Sequence, residues 1–289
     1  MSGNDISSRL NLRDGIKAPR YVFGTGGIRQ PEAIHHAIQQ GYRAFDTAQQ
    51  YRNEAEVGEA IRSYPGGHLN RDELFIITKV NKPGSTVEET LDGIRESVAK
   101  IGLGGYVDLF LIHNPSYGPE GRRIQWLALE QAKKEGLARA IGVSNFVVHH
   151  LEMMKEYCTE MPTVNQTELS PWNQDRAVAA LCKKEGIQLQ AFAPIARGQK
   201  QDDPVLLTVA KQVNRHWNHV LLRWSWQRSF MVTCKSATPS RITDNVQIFD
   251  FSLNETQMAT LNGLECGFKV TPSNLTDPEA RRHYYEDMP

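Results

Sequence analysis

VDLFLIH, residues 107–113, is a run of apolar residues that ends in a histidine. Two earlier stretches share this character, RAFDTAQQY at residues 43–51 and LFIITK at residues 74–79. Such runs are typical of strands buried on both faces, where a charge is costly unless it is paired or lies at an exposed strand end. The polar residues that follow the apolar parts are Asp46, Tyr51, Lys79 and His113. Collected in one place, these side chains would form a site for proton transfer.

The rest of the chain alternates between strand-like and helix-like segments. A helix is predicted from about Pro31 to Gln40, and another at Thr86–Lys100 with a capping box of Thr86 and Glu89. The predicted strands are Tyr21–Phe23, Arg43–Asp46, Leu74–Thr78, Val107–Ile112, Ala138–Val143, Thr163–Gln166, Gln188–Ala193 and Met231–Cys234. Eight such units in about 250 residues favour an α/β fold, a closed (β/α)8 TIM barrel, over an open doubly wound sheet. In such a barrel the active site lies at the C-terminal ends of the strands.

Composition restricts the class of protein. The 289 residues include 33 Lys and Arg and 33 Asp and Glu, so nothing in the net charge favours nucleic acid or an acidic membrane as a partner. No linker-like change in composition divides the chain, which predicts one domain over residues 1–289 with an N-terminal extension at residues 1–20. A small molecule is the expected partner, and a monomer is the default expectation.

The predicted location is the cytoplasm. The N-terminus has no apolar core of a signal peptide, and no run of about 18 apolar residues occurs. The cysteines lie far apart without a C-x-x-C pair, which indicates reduced thiols rather than disulfides or a metal site. They are Cys158, Cys182, Cys234 and Cys266.

Several motifs in register carry a family resemblance. They are GYRAFDTAQQYRNEAEVGEAI, TK, IHNP, AIGVSNF, NQTELSPW, AFAPI and KSATPSRITDN, and together they extend from about Gly24 to Leu264. In this order they resemble the aldo-keto reductase family. The resemblance implies a (β/α)8 barrel that binds NAD(P)H without a Rossmann domain and reduces aldehydes or ketones. It also implies a catalytic tetrad, matched here by Asp46, Tyr51, Lys79 and His113.

Carbonyl reduction explains why these residue types would act together. Hydride transfer to a carbonyl carbon leaves negative charge on the oxygen, which a positioned acid must protonate. Tyr51 is the candidate acid, and a neighbouring Lys79 would favour its anion. Asp46 would hold Lys79 charged and in place, and His113 would donate a hydrogen bond to the carbonyl oxygen. Taken singly, each residue also has an ordinary interpretation. Asp46 could belong to a turn or helix cap at the strand end, and Lys79 could be a surface lysine. Tyr51 could cover the end of the barrel, and His113 could be a hydrogen-bonded histidine without a catalytic role.

The stretch KSATPSRITDN suggests a site for the adenosine end of the cofactor. Cations and hydroxyl donors beside the start of a helix suit a 2′-phosphate, which favours NADPH over NADH. By resemblance, Lys235, Ser236, Thr238 and Arg241 would hold this phosphate, and Asn245 would hold the adenine. The family usually has Glu where this chain has Asp244, a shorter side chain whose reach to the adenine amine is in doubt.

Other residues are expected at the nicotinamide end. By resemblance, Ser144, Asn145 and Gln166 would hold the carboxamide, and Phe192 would stack on the ring in place of the family's usual Tyr. Phe192 could equally belong to the barrel core. Arg197 and Gly198 are candidates for a loop that clasps the cofactor.

Two other functional classes stay open from the sequence. Gly24-Thr25-Gly26-Gly27 after the first strand, with Asp46 further on, imitates a Rossmann unit, although Arg29 occupies the place of the third glycine. A barrel of this family could also bind nucleotide as a regulatory or structural subunit without turnover.

The sequence leaves the carbonyl substrate open. Pocket walls that are aromatic in many relatives correspond to Gly26 and Asn114, which predicts a wider and more polar pocket. The tail, residues 268–289, is expected to follow a last helix capped by Ser252 and Glu255. It would either fold over the pocket as a substrate loop or be partly disordered.

Overall fold

The computed structural model describes residues 4–271 of the chain. Its strands are β1 Arg9–Asn11, β2 Lys17–Pro19, β3 Tyr21–Gly24, β4 Ala44–Asp46, β5 Phe75–Val80, β6 Val107–Ile112, β7 Ala138–Ser144, β8 Val164–Glu168, β9 Gln188–Phe192 and β10 Met231–Cys234. Its α-helices are α1 Pro31–Gln39, α2 Glu54–Arg62, α3 Val87–Ile101, α4 Gly118–Lys134, α5 Val148–Met154, α6 Arg176–Glu185, α7 Pro204–Gln212, α8 Trp217–Gln227, α9 Pro239–Asn245 and α10 Glu255–Asn262.

The eight strands β3 to β10 form a closed barrel in which every strand is parallel to its neighbours. This confirms the predicted (β/α)8 barrel. A Rossmann unit is excluded, because β3 pairs with β10 on one side and β4 on the other instead of lying in an open sheet. The parallel register brings Gly24 beside Asp46, so the strand ends meet at one rim.

The segment predicted as an N-terminal extension contains an antiparallel hairpin of β1 and β2. Leu12 and Ala18 of this hairpin pack into one buried cluster with inward-facing barrel residues such as Phe75 and Leu109. The hairpin therefore contributes apolar surface to the barrel interior. Its strands of three residues are too short for a periodicity argument to detect.

The helices pack around the barrel and are delimited by the expected local signals. Thr86 accepts a hydrogen bond from the Glu89 N–H at the start of α3, and Gly102 ends that helix in the left-handed conformation. The capping prediction for α10 was wrong. Asn254 and Gln257 form the box there, because the Leu253 N–H is held by Gln227 Oε1 and the helix starts after that contact.

None of the helices within residues 4–271 combines the length and the apolar character needed to cross a membrane.

Most of the polar residues predicted as functional collect at the rim formed by the carboxyl ends of β3 to β10, where a cavity of about 940 Å³ opens.

Candidate active site

The cavity gathers most of the residues predicted for catalysis and cofactor binding. Those that line it are Asp46, Tyr51, His113, Ser144, Asn145, Gln166, Phe192, Lys235, Arg241 and Asn245. Lys79 does not line the cavity, because it is fully buried and bonded to Asp46. Ser236, Thr238 and Asp244 also lie outside the lining.

Lys79 and Asp46 form a buried ion pair between adjacent strands. Lys79 Nζ donates to Asp46 Oδ1 and, over 3.0 Å, to the Thr47 carbonyl oxygen. Burial alone would lower the pKa of Lys79, but the charge of Asp46 and the nearby Tyr51 outweigh it and raise that pKa above its ordinary value. Lys79 therefore stays an ammonium at neutral pH.

The second oxygen of Asp46 is held by two glutamine amides. Gln166 Nε2 donates to Asp46 Oδ2 at 2.6 Å, and Gln190 Nε2 lies 3.4 Å from the same atom. Gln190 Nε2 also donates to Thr233 Oγ1 at 2.8 Å. Gln190 was not predicted from the sequence, although a glutamine inside the apolar strand QLQAF is an available signal because a buried amide needs partners.

Tyr51 lies on a short 3-10 turn, Gln49–Tyr51, that follows β4. The centre of its ring is 5.1 Å from Lys79 Nζ and 5.5 Å from the centre of the His113 ring, which it meets edge to face. Gly26 faces the ring: a Cβ built there would stand 3.4 Å from Tyr51 Cζ. The phenol is thus enclosed by a cation, an imidazole and a glycine wall.

Asn53 ties this turn to the barrel and was also missed from the sequence. It is fully buried, and its Oδ1 accepts from Thr47 Oγ1 at 2.8 Å. Its Nδ2 donates to the carbonyl oxygens of Thr25 and Ile28 at 2.8 and 2.7 Å. One side chain therefore joins the end of β4, the loop that carries Gly26 and the turn that carries Tyr51.

His113 is a neutral imidazole in this site. Burial and the charge of Lys79 lower its pKa from 6.5 to about 3. Its Nδ1 is enclosed without a hydrogen-bond partner among the described residues. A neutral ring carries one N–H, so His113 can donate one hydrogen bond to a substrate oxygen.

The lowered pKa of His113 predicts an acid-sensitive fold. Below about pH 6.5 the unfolded chain binds a proton at this histidine, whereas the folded chain does not until about pH 3, so stability falls as pH falls through this window. We expect wild type to lose about 2 kcal/mol more unfolding free energy than His113→Phe between pH 6.5 and 4.5. Urea denaturation of the cofactor-free protein measures this.

His68, an exposed histidine outside the cavity, is replaced by Phe as the control for loss of one imidazole. Parallel acid profiles for wild type and His113→Phe would contradict a neutral, buried His113.

At the predicted nicotinamide end, the side chains of Ser144 and Asn145 are held by hydrogen bonds. Ser144 Oγ donates to the Gln166 carbonyl oxygen at 2.8 Å, and Asn145 Nδ2 lies 3.0 Å from the His113 carbonyl oxygen and 3.1 Å from Ser144 Oγ. Asn145 has φ of 64°, a left-handed conformation that asparagine tolerates better than most residues. Phe192 is partly exposed in the cavity, so it is not a purely internal core residue.

The predicted adenosine end is rich in positive charge. Lys235, Arg241 and Arg197 line the cavity, and Asp46, which is paired with Lys79, is the only carboxylate that lines it within residues 4–271. Two further residues predicted as phosphate ligands take part in hydrogen bonds of this loop: Ser236 Oγ accepts from the Thr238 N–H at 3.0 Å, and Thr238 Oγ1 accepts from Arg241 at 2.8 Å.

Glu168, at the end of β8, binds the backbone of residues 270 and 271 beside the cavity. Its two carboxylate oxygens accept from the Val270 and Thr271 N–H groups at 2.6 and 2.9 Å, and Thr271 lines the cavity. Glu168 was not predicted from the sequence. Most of the tail, predicted at residues 268–289 as a substrate loop or a disordered end, lies outside the described residues.

Asn114, predicted as part of the pocket wall, does not line the cavity. Its Oδ1 accepts from the Ser116 N–H at 3.1 Å and so stabilises the loop after β6. Gly26 does line the cavity, together with Gln50 from the turn before Tyr51. Within the described part of the chain, Gly26 and the amide of Gln50 therefore form part of the wall near the tetrad.

Comparison with known proteins identifies the family of the chain. A family model described as the Aldo/keto reductase family matches residues 29–265. An oxidoreductase of Schizosaccharomyces pombe is 38% identical over 266 residues, covering 90% of this chain and 94% of that protein. The glyoxal reductase of Bacillus subtilis is 36% identical over 272 residues, covering 93% and 96%. The crystal structure of a Bombyx mori aldo-keto reductase in complex with NADP has a TM-score of 0.84 and 31% identity, covering 93% and 96%.

The family model spans most of the chain, and the relatives align along nearly their whole length. The resemblance drawn from the motifs is therefore confirmed. The chain belongs to the aldo/keto reductase family and is an oxidoreductase.

Proposed function

We propose that this protein reduces an aldehyde or ketone to an alcohol, with NADPH as the hydride donor and Tyr51 as the general acid. The observation that carries the proposal is the buried ion pair of Lys79 and Asp46 beside Tyr51 and His113, at the floor of a cavity whose other end is cationic. Membership of the aldo/keto reductase family makes the protein an oxidoreductase, and the proposal adds the reaction, the hydride donor and the acid.

The residues at the floor of the cavity have separate roles in the protonation of the carbonyl oxygen. Lys79 is kept charged by Asp46, and its ammonium lies beside the Tyr51 ring. The neutral His113 donates a hydrogen bond that orients the carbonyl oxygen and stabilises the charge that develops on it. Tyr51 then transfers its proton to that oxygen, and its anion is stabilised by the ammonium beside it.

The cavity suits a dinucleotide with a 2′-phosphate. When bound, NADPH supplies the hydride. Three cations, Arg197, Lys235 and Arg241, are available for its phosphates, and the braced amides of Asn145 and Gln166 are available for its carboxamide. Gln166 Nε2 is engaged by Asp46, so its side-chain oxygen is the atom offered to the carboxamide N–H₂ group. The Bombyx mori relative was crystallised with NADP, which supports this assignment.

We propose small, polar carbonyl compounds as substrates. Gly26 and Gln50 make the wall near Tyr51 open and polar, as far as residues 4–271 form it. The glyoxal reductase of Bacillus subtilis, whose name denotes a small dicarbonyl substrate, is consistent with this choice. The four free cysteines suit a reducing compartment, so we propose the cytoplasm as the place of action.

The non-enzymatic alternative, a regulatory or structural barrel, has less support. Binding alone does not require a proton donor beside a buried ion pair such as that of Lys79 and Asp46. The related proteins named above are oxidoreductases by name.

The test is the loss of NADPH absorbance with glyoxal and with 4-nitrobenzaldehyde, repeated with NADH. We expect kcat/KM to favour NADPH by about 10- to 100-fold, since each charged hydrogen bond to the 2′-phosphate contributes about 1.5–3 kcal/mol. The double variant Lys235→Met/Arg241→Met should lose most of this preference and keep its NADH turnover.

Tight NADPH binding without turnover over a broad carbonyl panel would support the non-enzymatic alternative. Equal kcat/KM with NADH and NADPH in wild type would contradict the assignment of Lys235 and Arg241 to the 2′-phosphate.

A further inference from the structure

The turn that carries Tyr51 is flanked by two polar residues whose side chains face away from the active-site cavity. Gln49 begins this 3-10 turn, and Glu54 begins α2 shortly after it. Neither residue lines the active-site cavity, and both line a second cavity of about 460 Å³ that is formed by α2 and α3. An effect of these residues on the reaction would therefore have to pass through the turn itself.

Gln49 binds α3 and the end of β5 through its amide group. Its Nε2 donates to Ser97 Oγ at 3.0 Å and to the Gly93 carbonyl oxygen at 3.1 Å. Its Oε1 accepts from the Asn81 N–H at 2.9 Å. The three contacts of this one side chain fix the start of the turn against two neighbouring elements.

Glu54 binds the same two elements from the other end of the turn. The Thr78 hydroxyl donates to Glu54 Oε1 at 2.6 Å, and Ser97 Oγ donates to Glu54 Oε2 at 3.2 Å. Glu54 and Ser97 are both buried, and burial raises the pKa of Glu54 although both hydroxyl donors act to lower it. Because a buried carboxylate is costly without such donors, these two hydrogen bonds hold Glu54 in one position.

Together with the backbone, these contacts form a ring of hydrogen bonds, named here the outer ring. Its members are, in order, Thr78, Glu54, Ser97, Gln49 and Asn81. The ring begins and ends on the segment that carries Lys79, because Thr78 precedes this lysine and Asn81 follows it. Lys79 points into the barrel towards Asp46, and Thr78 points outward because neighbouring side chains of a strand face opposite sides. The outer ring thus joins residues 78–81 to residues 49–54 from outside the barrel.

We propose that Gln49 and Glu54 are positioning residues, and that the outer ring sets the distance between the Tyr51 phenol and the Lys79 ammonium. This inference rests on the proposed role of Tyr51 as the acid. The centre of the Tyr51 ring lies 5.1 Å from Lys79 Nζ. Opening the outer ring frees the turn to move relative to β5, and a misplacement of about 1 Å can slow a reaction by about a hundredfold. Protonation should then be slower while the cofactor site is unchanged.

The experiment compares wild type with Gln49→Ala, Glu54→Ala and the double variant. Single turnovers of NADPH oxidation with 4-nitrobenzaldehyde separate the chemical step from product release. We expect each single variant to lower this rate by about 10- to 100-fold, with the dissociation constant for NADPH unchanged in a fluorescence titration. The solvent deuterium isotope effect on the rate should rise, because proton transfer becomes more strongly limiting. The double variant should match the slower single variant, since the second substitution acts on a ring that is already open.

Arg62→Ala is the matched control for a lost link between the same two helices. Arg62 of α2 donates to the Ile101 and Gly102 carbonyl oxygens at 2.8 and 3.1 Å, at the end of α3 and outside the outer ring. This variant should keep the wild-type rate and isotope effect. A rate that fell equally in Arg62→Ala, Gln49→Ala and Glu54→Ala, with no change in isotope effect, would show a merely structural role and overturn the proposal.

Glu54→Gln tests whether position or charge matters. Its amide offers Thr78 an acceptor and Ser97 a donor, so the outer ring can close without the charge and most of the rate should return. If Glu54→Gln were as slow as Glu54→Ala, the charge of Glu54 would matter instead of its position, and the proposal would fail for this residue.

Gln49 provides a test that does not depend on the folding of the Glu54 variants, because its side chain is only partly buried. A wild-type rate in Gln49→Ala would overturn the proposal while leaving the proposed function intact. Effects that multiply in the double variant would show that the two residues act separately and not through one ring. Absence of turnover in wild type would overturn the proposed function together with this inference.

Discussion

Tyr51→Phe is expected to lower kcat for aldehyde reduction by about a thousandfold and to leave the dissociation constant for NADPH within about twofold of wild type. A positioned general acid contributes about 10²- to 10⁴-fold, and the phenol hydroxyl is the group assigned to that role. Steady-state kinetics with NADPH and 4-nitrobenzaldehyde, combined with a fluorescence titration of NADPH, measures both quantities.

The substitution isolates the hydroxyl because the ring is held by other contacts. The edge of the His113 ring and the glycine wall at Gly26 pack against carbon atoms of Tyr51 that Phe retains. Asn53, which fixes the turn, does not contact the hydroxyl. The cavity should therefore keep its shape while it loses the proton donor.

Tyr64→Phe is the matched control, since Tyr64 packs against His35 outside the cavity and its variant should turn over like wild type. Retention of more than about a tenth of the wild-type kcat in Tyr51→Phe would show that another group protonates the product. His113 would then be the first candidate to examine, because its ring lies beside Tyr51 in the cavity.

The barrel and the four residues at its floor could be predicted because their signals are local. Each apolar run is long enough to indicate a buried strand, and a parallel barrel brings all strand ends to one rim. This argument places Asp46, Lys79 and His113 near one another without any knowledge of side-chain packing.

Other parts of the site depend on contacts between residues distant in the sequence. Gln190 is 144 residues from Asp46, and Glu168 is more than 100 residues from the Val270 and Thr271 N–H groups that it binds. No spacing rule connects such pairs. The direction in which Asp244 points depends likewise on Asn218, which is 26 residues away on another helix.

The roles of loop residues are harder to predict than the positions of strand ends for a related reason. Ser236 and Thr238 have the chemistry of phosphate ligands, yet in the structure their side chains bond within the loop and to Arg241. Hydroxyl groups next to a helix start can bond to the backbone as readily as to a ligand. The sequence shows the chemistry available there but not the conformation that selects between these partners.

Lys79→Met is the prediction with the largest expected effect on stability. The substitution removes the ammonium but leaves Asp46 buried, with Gln166 and Gln190 as its remaining side-chain donors. Removing one partner of a buried ion pair typically costs about 3–5 kcal/mol, because the other charge is left uncompensated. We expect a loss of this size in unfolding free energy by urea denaturation, together with loss of turnover.

The double variant Asp46→Asn/Lys79→Met distinguishes the loss of stability in Lys79→Met from its loss of turnover. Without the charge on Asp46 the penalty of an unpaired buried ion disappears, while an asparagine oxygen can still accept the hydrogen bond from Gln166. Unfolding free energy should therefore recover by at least about 2 kcal/mol relative to Lys79→Met, whereas turnover should stay absent because no cation favours the Tyr51 anion. If the double variant were as unstable as Lys79→Met, the cost would come from lost packing of the lysine chain. If its turnover recovered together with its stability, Lys79 would have only a structural role and would not assist proton transfer from Tyr51.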